Sequence, residues 1–274
     1  MAAGEGKGWA KGRSAKDDPR IARGAAAHRG KQYVPRVPPE QDRRRRGGQL
    51  FDPTWTPTLA YAVGLIATDG GLVRGRTISF PSADRELVEI LLRCLAKSSS
   101  ITAERSEEGN IYYRTQIGDV AMHRWLVSIG VRPQKSLTIG AIEVPDAYLL
   151  SLARGLLDGD GSIMNKVARA DTKRRADYRW EYLQTKFVSA SLAHILWLQG
   201  RLSDATGLVG YVMTTNARDR HRACYALRFS KRASLRLLPL LYADPGAPRL
   251  TRKWRVWADY AARHGIDPHR VVVL

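Results

Sequence analysis

The sequence predicts an α+β fold made by internal duplication of one unit, and three observations predict it. An apolar helical segment that ends in Asp-Gly occurs twice, as Ala62-Val63-Gly64-Leu65-Ile66-Ala67-Thr68-Asp69-Gly70 and as Ala153-Arg154-Gly155-Leu156-Leu157-Asp158-Gly159-Asp160-Gly161. Behind each copy the hydrophobic period changes in the same order: hairpin, helix, two strands, helix. Short matches hold the copies in register, Phe80-Pro81-Ser82-Ala83 with Phe187-Val188-Ser189-Ala190, and Tyr113 and Ile117 with Tyr225 and Phe229.

Residues 1–50 precede the first unit. They are rich in Gly, Ala, Arg, Lys and Pro, carry 13 basic against 5 acidic residues and end in Arg43-Arg44-Arg45-Arg46-Gly47-Gly48. Without apolar periodicity such a stretch is expected to be disordered alone, and either a phosphate-tracking arm or a solvated tail accounts for it. From Phe51 the composition changes. Thr58 to Thr68 reads as an apolar helix with Pro57 in its first turn. Leu72-Val73 and Thr77 to Phe80 flank Arg74-Gly75-Arg76 as a tight hairpin. Asp84 to Lys97 is helical, with Leu87, Ile90, Leu91, Cys94 and Leu95 on one face. Strands near Ile101 to Arg105 and Ile111 to Ile117 enclose the turn Glu107-Glu108-Gly109-Asn110, and helix Val120 to Ile129 closes the unit.

The second unit repeats the order with helix Ala147 to Leu157, a hairpin ending at Phe187, and helix Leu192 to Ala205. Strands at Val209 to Met213 and Tyr225 to Phe229 follow, then helix Ala233 to Leu241. The repeats therefore occupy residues 51–140 and 141–274. The offset between copies is 91 residues at Asp69 and Asp160 but 107 at Phe80 and Phe187, so the second hairpin is 16 residues longer. The extra length carries Lys166, Arg169, Lys173, Arg174, Arg175 and Arg179, a composition that suits a DNA-contacting ribbon.

Composition narrows the partners. Lysine and arginine number 45 against 26 acids, a formal net charge of +19, so a polyanion is expected. No apolar run approaches the roughly 20 residues needed to span a bilayer, and the amino terminus lacks the apolar core of a signal peptide, which predicts an intracellular protein that uses no membrane. Cys94 and Cys224 stand alone and read as reduced packing residues, which excludes a zinc ribbon. No two histidines have metal-ligand spacing, and His264 and His269 fall in a segment expected to fray. Trp125, Trp197, Trp254 and Trp257 lie on helical apolar faces and are expected in the core.

Gly64 and Gly155 sit in mid-helix, where glycine costs about 1 kcal/mol relative to alanine, so a neighbouring backbone is expected against them. If the two Asp-Gly helices pack through these glycines, their carboxyl ends meet and Asp69 and Asp160 stand side by side. Adjacent carboxylates repel unless a divalent cation neutralises them. One Asp-Gly alone reads as a helix-ending turn. Two at equivalent repeat positions in a basic chain point to oxygen-ligated magnesium, or manganese, able to hold a scissile phosphate and activate water.

With these motifs the sequence resembles the LAGLIDADG homing endonucleases in their single-chain form, over about residues 55–264. The resemblance implies two pseudo-symmetric αββαββα repeats, motif helices at the interface, and saddle-shaped antiparallel sheets across the major groove of a long, nearly asymmetric double-stranded DNA target. It implies a monomer, with metal bound by Asp69 and Asp160, and leaves Ala67 and Asp158 at a position that is often acidic. It implies catalytic roles near the phosphate for Lys135 and Lys253, and places Asp84 and Ser191 where water is positioned. On the strands after each motif, Arg74, Arg76 and Ser79, then Lys166, Arg179, Gln184 and Lys186, are candidates for reading bases. The implied activity is sequence-specific, metal-dependent cleavage of both DNA strands, as in intron homing. A non-cleaving regulator or an RNA maturase on the same scaffold is the alternative, with RNA as the partner in the latter case. The chain also lacks terminal splicing residues, which argues against an intein.

Overall fold

The structure, a computed structural model, describes residues 51–73, 75–169, 179–215 and 223–271. The first repeat consists of α1 (Pro57–Thr68), β1 (Gly71–Val73), β2 (Thr77–Ser82), α2 (Arg85–Cys94), β3 (Ile101–Arg105), β4 (Ile111–Gly118) and α3 (Val120–Ser128). The second consists of α4 (Leu149–Asp158), β5 (Ser162–Arg169), β6 (Arg179–Ser189), α5 (Leu192–Thr206), β7 (Tyr211–Thr215), β8 (Cys224–Phe229) and α6 (Lys231–Leu241). Each is an αββαββα unit. One further helix, α7 (Thr251–Arg263), follows the second unit.

Each unit folds its strands into an antiparallel four-stranded sheet, ordered β1-β2-β4-β3 and β5-β6-β8-β7. The duplication extends to the pairing register. Ser82 lies opposite Tyr113 and Ser189 opposite Tyr225, while Ile78 faces Ile117 and Thr185 faces Phe229. Alternation then assigns the faces. Ile78, Phe80 and Ile117 in one sheet, and Leu183, Phe187, Leu227 and Phe229 in the other, are buried in a shared hydrophobic core with the helices. The intervening residues form an outer face on each sheet.

Short polar caps start the helices where the hydrophobic pattern begins. Thr56 accepts from Leu59 N at 3.1 Å ahead of Pro57, Asp119 accepts from Met122 N at 2.9 Å, and Ser230 accepts from Ala233 N at 3.3 Å. The second motif helix begins two residues later than its apolar pattern suggests, because Asp146–Tyr148 forms a 3₁₀ turn.

The longer second hairpin is borne out in its strands, 8 and 11 residues against 3 and 6 in the first. Lys173, Arg174, Arg175, Arg74 and the arm 1–50 lie outside the described residues, as does the side chain of Arg169. The expectation of a frayed end fails at both histidines. His264 stacks on Tyr260 and bonds Glu181, while His269 stacks on Trp254 with its Nδ1 at the Tyr242 carbonyl. Among the described residues no helix is long and apolar enough to cross a membrane.

Candidate active site

The two motif helices meet through their glycines. A Cβ on Gly64 would stand 2.4 Å from the Leu152 carbonyl oxygen and 2.9 Å from Gly155 Cα, and one on Gly155 would stand 2.2 Å from the Tyr61 carbonyl oxygen. Only glycine allows this approach. The same packing continues at the carboxyl ends, where a Cβ on Gly159 would overlap the Thr68 hydroxyl. Asp69 closes α1 as its C-cap, and Asp160 follows Gly159, the C-cap of α4. The two carboxylates are thereby delivered to one place.

Their ionisation reflects that crowding. Burial, and then the charge of Asp160, push the Asp69 carboxyl up to about 6, against the pull of Lys253 and Lys135. Asp160 is raised by desolvation and drawn back by the same two lysines. The Asp160 side chain is exposed at the end of its helix. Among the described residues no group of three or more His, Cys, Asp or Glu side chains converges. Two carboxylates without further protein ligands fit magnesium, which commonly takes one or two carboxylates and completes its shell with water and substrate phosphate.

Lys135 and Lys253 do arrive at this centre, but as caps. The Lys253 ammonium donates to the carbonyls of Leu157, Asp158 and Gly159 at 2.8, 2.7 and 2.7 Å. Lys135 donates to the carbonyls of Thr68, at 3.1 Å, and Gly70. Each cation thus satisfies orphan carbonyls at the negative end of a motif helix. Desolvation lowers both lysines, Lys253 to about 8. An ammonium has three donors. Lys253 has committed all three to these carbonyls, whereas Lys135 retains one.

The residues suggested for water positioning are also engaged. Both Asp84 oxygens receive the Arg252 guanidinium in a fork at 2.7 to 3.0 Å, which ties the first half to α7. Ser191 is 4% exposed and caps α5, donating to the Ile139 carbonyl at 2.5 Å and accepting from His194 N at 3.4 Å. Its proposed water role is therefore corrected, because the hydroxyl has no open approach.

A second network went unread in the sequence. Asp158 is fully buried, and one of its oxygens accepts from Tyr61 OH at 2.7 Å and from Leu250 N at 2.8 Å. Arg154, also buried, spans to the carbonyls of Leu241 and Pro248 and lies over the Tyr61 ring. The only local signal was charge inside an apolar motif helix.

Strand parity sorts the base-reading candidates. Lys166, Gln184 and Lys186 share the outer face of the second sheet, and Ser79 lies on that of the first. Arg76 is exposed in the β1–β2 turn. Arg179 is exposed at the start of β6 but has the parity of the core face, opposite to that of the other candidates on this sheet. Ser79 and Gln184 face outward but are 8% and 2% exposed, with Gln184 donating to Tyr211 OH at 3.2 Å. Neither is open to a base without local movement. Arg114, Gln116, Arg228, Tyr211 and Met213, on strands the motifs do not flag, are on the outer faces as well.

No family model and no curated protein matches the chain. Among solved structures it is similar to full-length DUF199/WhiA from Thermatoga maritima, at 17% identity and a TM-score of 0.45 over 76% of this chain, spanning 63% of the length of that one. It is similar to I-DmoI in complex with DNA and Ca, at 14% identity and a TM-score of 0.46, over 76% of this chain and 97% of that one. It is similar to the I-SmaMI LAGLIDADG homing endonuclease bound to cleaved DNA, at 12% identity and a TM-score of 0.48, over 77% and 90%.

Proposed function

We propose that the chain is a divalent-metal-dependent endonuclease that cuts both strands of a long, nearly asymmetric DNA site. The observation that carries this reading is the meeting of Asp69 and Asp160 at the ends of two glycine-packed helices, one from each repeat. That arrangement would set an acid from each half at the junction of the two repeats, from which one chain could address two nearby phosphodiesters of a duplex. A bound magnesium or manganese ion would supply Lewis acidity at the scissile phosphate and ease deprotonation of the attacking water. Asp69 and Asp160 would hold it. Lys253 and Lys135 hold the helix ends that present them, and the remaining Lys135 proton can face the anionic site. The outer faces of the two sheets would lie in the major groove, where all four base pairs are distinguishable.

A binding protein without cleavage is the second reading, and the full commitment of the Lys253 donors favours it. Incubation of the full chain with a randomised duplex library and magnesium, then sequencing of cut ends, separates the two. Recurrent paired breaks support the nuclease. Specific retention in calcium without any breaks in magnesium or manganese would replace it with the binding protein.

The arm 1–50 is expected to add affinity without sequence preference, because scattered arginines and lysines meet phosphates rather than base edges. Its deletion should flatten the plot of log affinity against log salt by about 0.9 for each phosphate that the arm neutralises. An unchanged slope would leave the arm without a role in binding.

A further inference from the structure

The two outer faces differ in chemistry. On the first sheet the outward residues include Thr77, Ser79, Gln116, Thr102 and Arg114, and the last is paired to the Glu104 carboxylate at 3.2 Å. Its one exposed large apolar side chain among the described residues is Val73, at the sheet edge. The second sheet instead turns Trp180, Tyr211 and Met213 outward, 43%, 45% and 40% exposed. Lys166, Lys186 and Arg228 stand among them, and no acid shares this face among the described residues. The nearby Glu181 has the opposite parity and is held by Asn165, Arg263 and His264.

We propose that this second outer face reads thymine C5-methyl groups through Met213, Tyr211 and Trp180, so that one half of the DNA target depends on thymine and the other does not. The inference rests on the double-stranded DNA reading above. Exposed aromatic and thioether groups gain free energy by covering apolar surface, and the cations between them select a polyanion rather than an apolar protein partner. In the major groove the apolar feature that distinguishes a base pair is the thymine methyl. The three side chains are spread along the sheet. Trp180 lies six residues along β6 from Lys186, whose row crosses Arg228 to Tyr211, about 20 Å at strand rise, so Trp180 and Tyr211 address separated base pairs.

Gln184 extends the match. Its Oε1 is buried without a hydrogen-bond partner while its Nε2 donates to Tyr211 OH. The amide could meet the N6 and N7 edge of the adenine in a T·A pair, the pairing glutamine makes, only once the Tyr211 ring shifts to uncover it. The same logic opposes RNA as the ligand of this face, because uracil lacks the methyl and the A-form major groove is too narrow for side chains.

The test uses the full chain and its preferred duplex, selected in calcium from a randomised library, with thymines replaced by deoxyuridine in one half at a time. Deoxyuridine in one half is expected to weaken binding about four-fold for each methyl that the face covers, the scale of one buried carbon, and deoxyuridine in the other half to change nothing. Met213→Ala and Trp180→Ala should each abolish the response at one thymine position while leaving the salt dependence as in wild type. Equal tolerance of deoxyuridine in both halves, an unaltered uracil response in both variants, or a selected target with no thymine at all would overturn the proposal while leaving DNA recognition standing. Failure to select any preferred duplex would instead overturn the DNA reading on which it rests.

Discussion

Asp69→Asn and Asp160→Asn are each expected to reduce double-strand cleavage by about 10²–10³-fold while leaving specific binding in calcium within a few-fold of wild type; the expected loss is on the scale of removing one preorganised electrostatic stabiliser. Asparagine keeps the size and one carbonyl oxygen but removes the charge that holds a divalent ion against a phosphate. If these residues only ended helices, asparagine would serve as well, since it also tolerates such turns. Retained cleavage in both variants, measured beside gel-shift binding, would remove the metal assignment. The metal-free protein supplies an independent readout. Asp69 has a folded pKa of about 6 against 3.8 for the free side chain, so its contribution to stability is fully present below pH 3.8 and is lost as pH rises through 6. With partial exposure discounted, the loss is roughly 1–2 kcal/mol. Urea unfolding at pH 4.5 and 7.5 without metal should show this decline in wild type and a flatter one in Asp69→Asn.

What could be read in advance follows from the range of the interactions involved. Gly64 and Gly155 announced the helix packing because a glycine in an apolar helix lacks a local reason to be there. The repeat was legible because alternation repeats a pattern within a few residues: Phe80 and Phe187 both prove to be core residues, 0% and 2% exposed. The roles of Lys253, Ser191 and Asp84 were not legible. Each depends on partners far along the chain, 95 residues for the Lys253 to Asp158 bond, 52 for Ser191 to Ile139 and 168 for Arg252 to Asp84. A lysine near an active centre and a lysine capping a helix carry the same local sequence, and the number of donors left over separates them only once the carbonyls are placed. The outer-face residues of β4, β7 and β8 were missed for a related reason, since pairing brings strands remote in sequence beside those that follow the motifs.

Asp158→Ala is expected to destabilise the fold by about 3–5 kcal/mol. Burial pushes this carboxyl up to about 6, and the Leu250 N–H, Tyr61 hydroxyl, Lys253 and Arg154 restrain the rise. Alanine would leave the Tyr61 hydroxyl and the Leu250 N–H buried without acceptors, each costing roughly 1–3 kcal/mol. The second loss has a structural address. Leu250 is the N-cap of α7 and supplies no side-chain cap, so the Asp158 carboxylate accepts its N–H from another helix, while Glu86 accepts from the N–H and hydroxyl of Thr251. From α7 extend Lys253, which closes the end of α4, and Arg252, which grips Asp84 in the first half. Removing one of the two carboxylates that hold the start of α7 should therefore loosen the presentation of Asp160 as well as lower the unfolding midpoint. The equivalent position in the first repeat is Ala67, and there Lys135 sits in a short 3₁₀ turn rather than on a long helix. Tyr61→Phe, which removes one donor and leaves the α7 cap in place, should cost only about 1 kcal/mol. Urea denaturation of the three proteins tests the ranking: an Asp158→Ala variant no less stable than Tyr61→Phe would show that the carboxylate does not anchor α7.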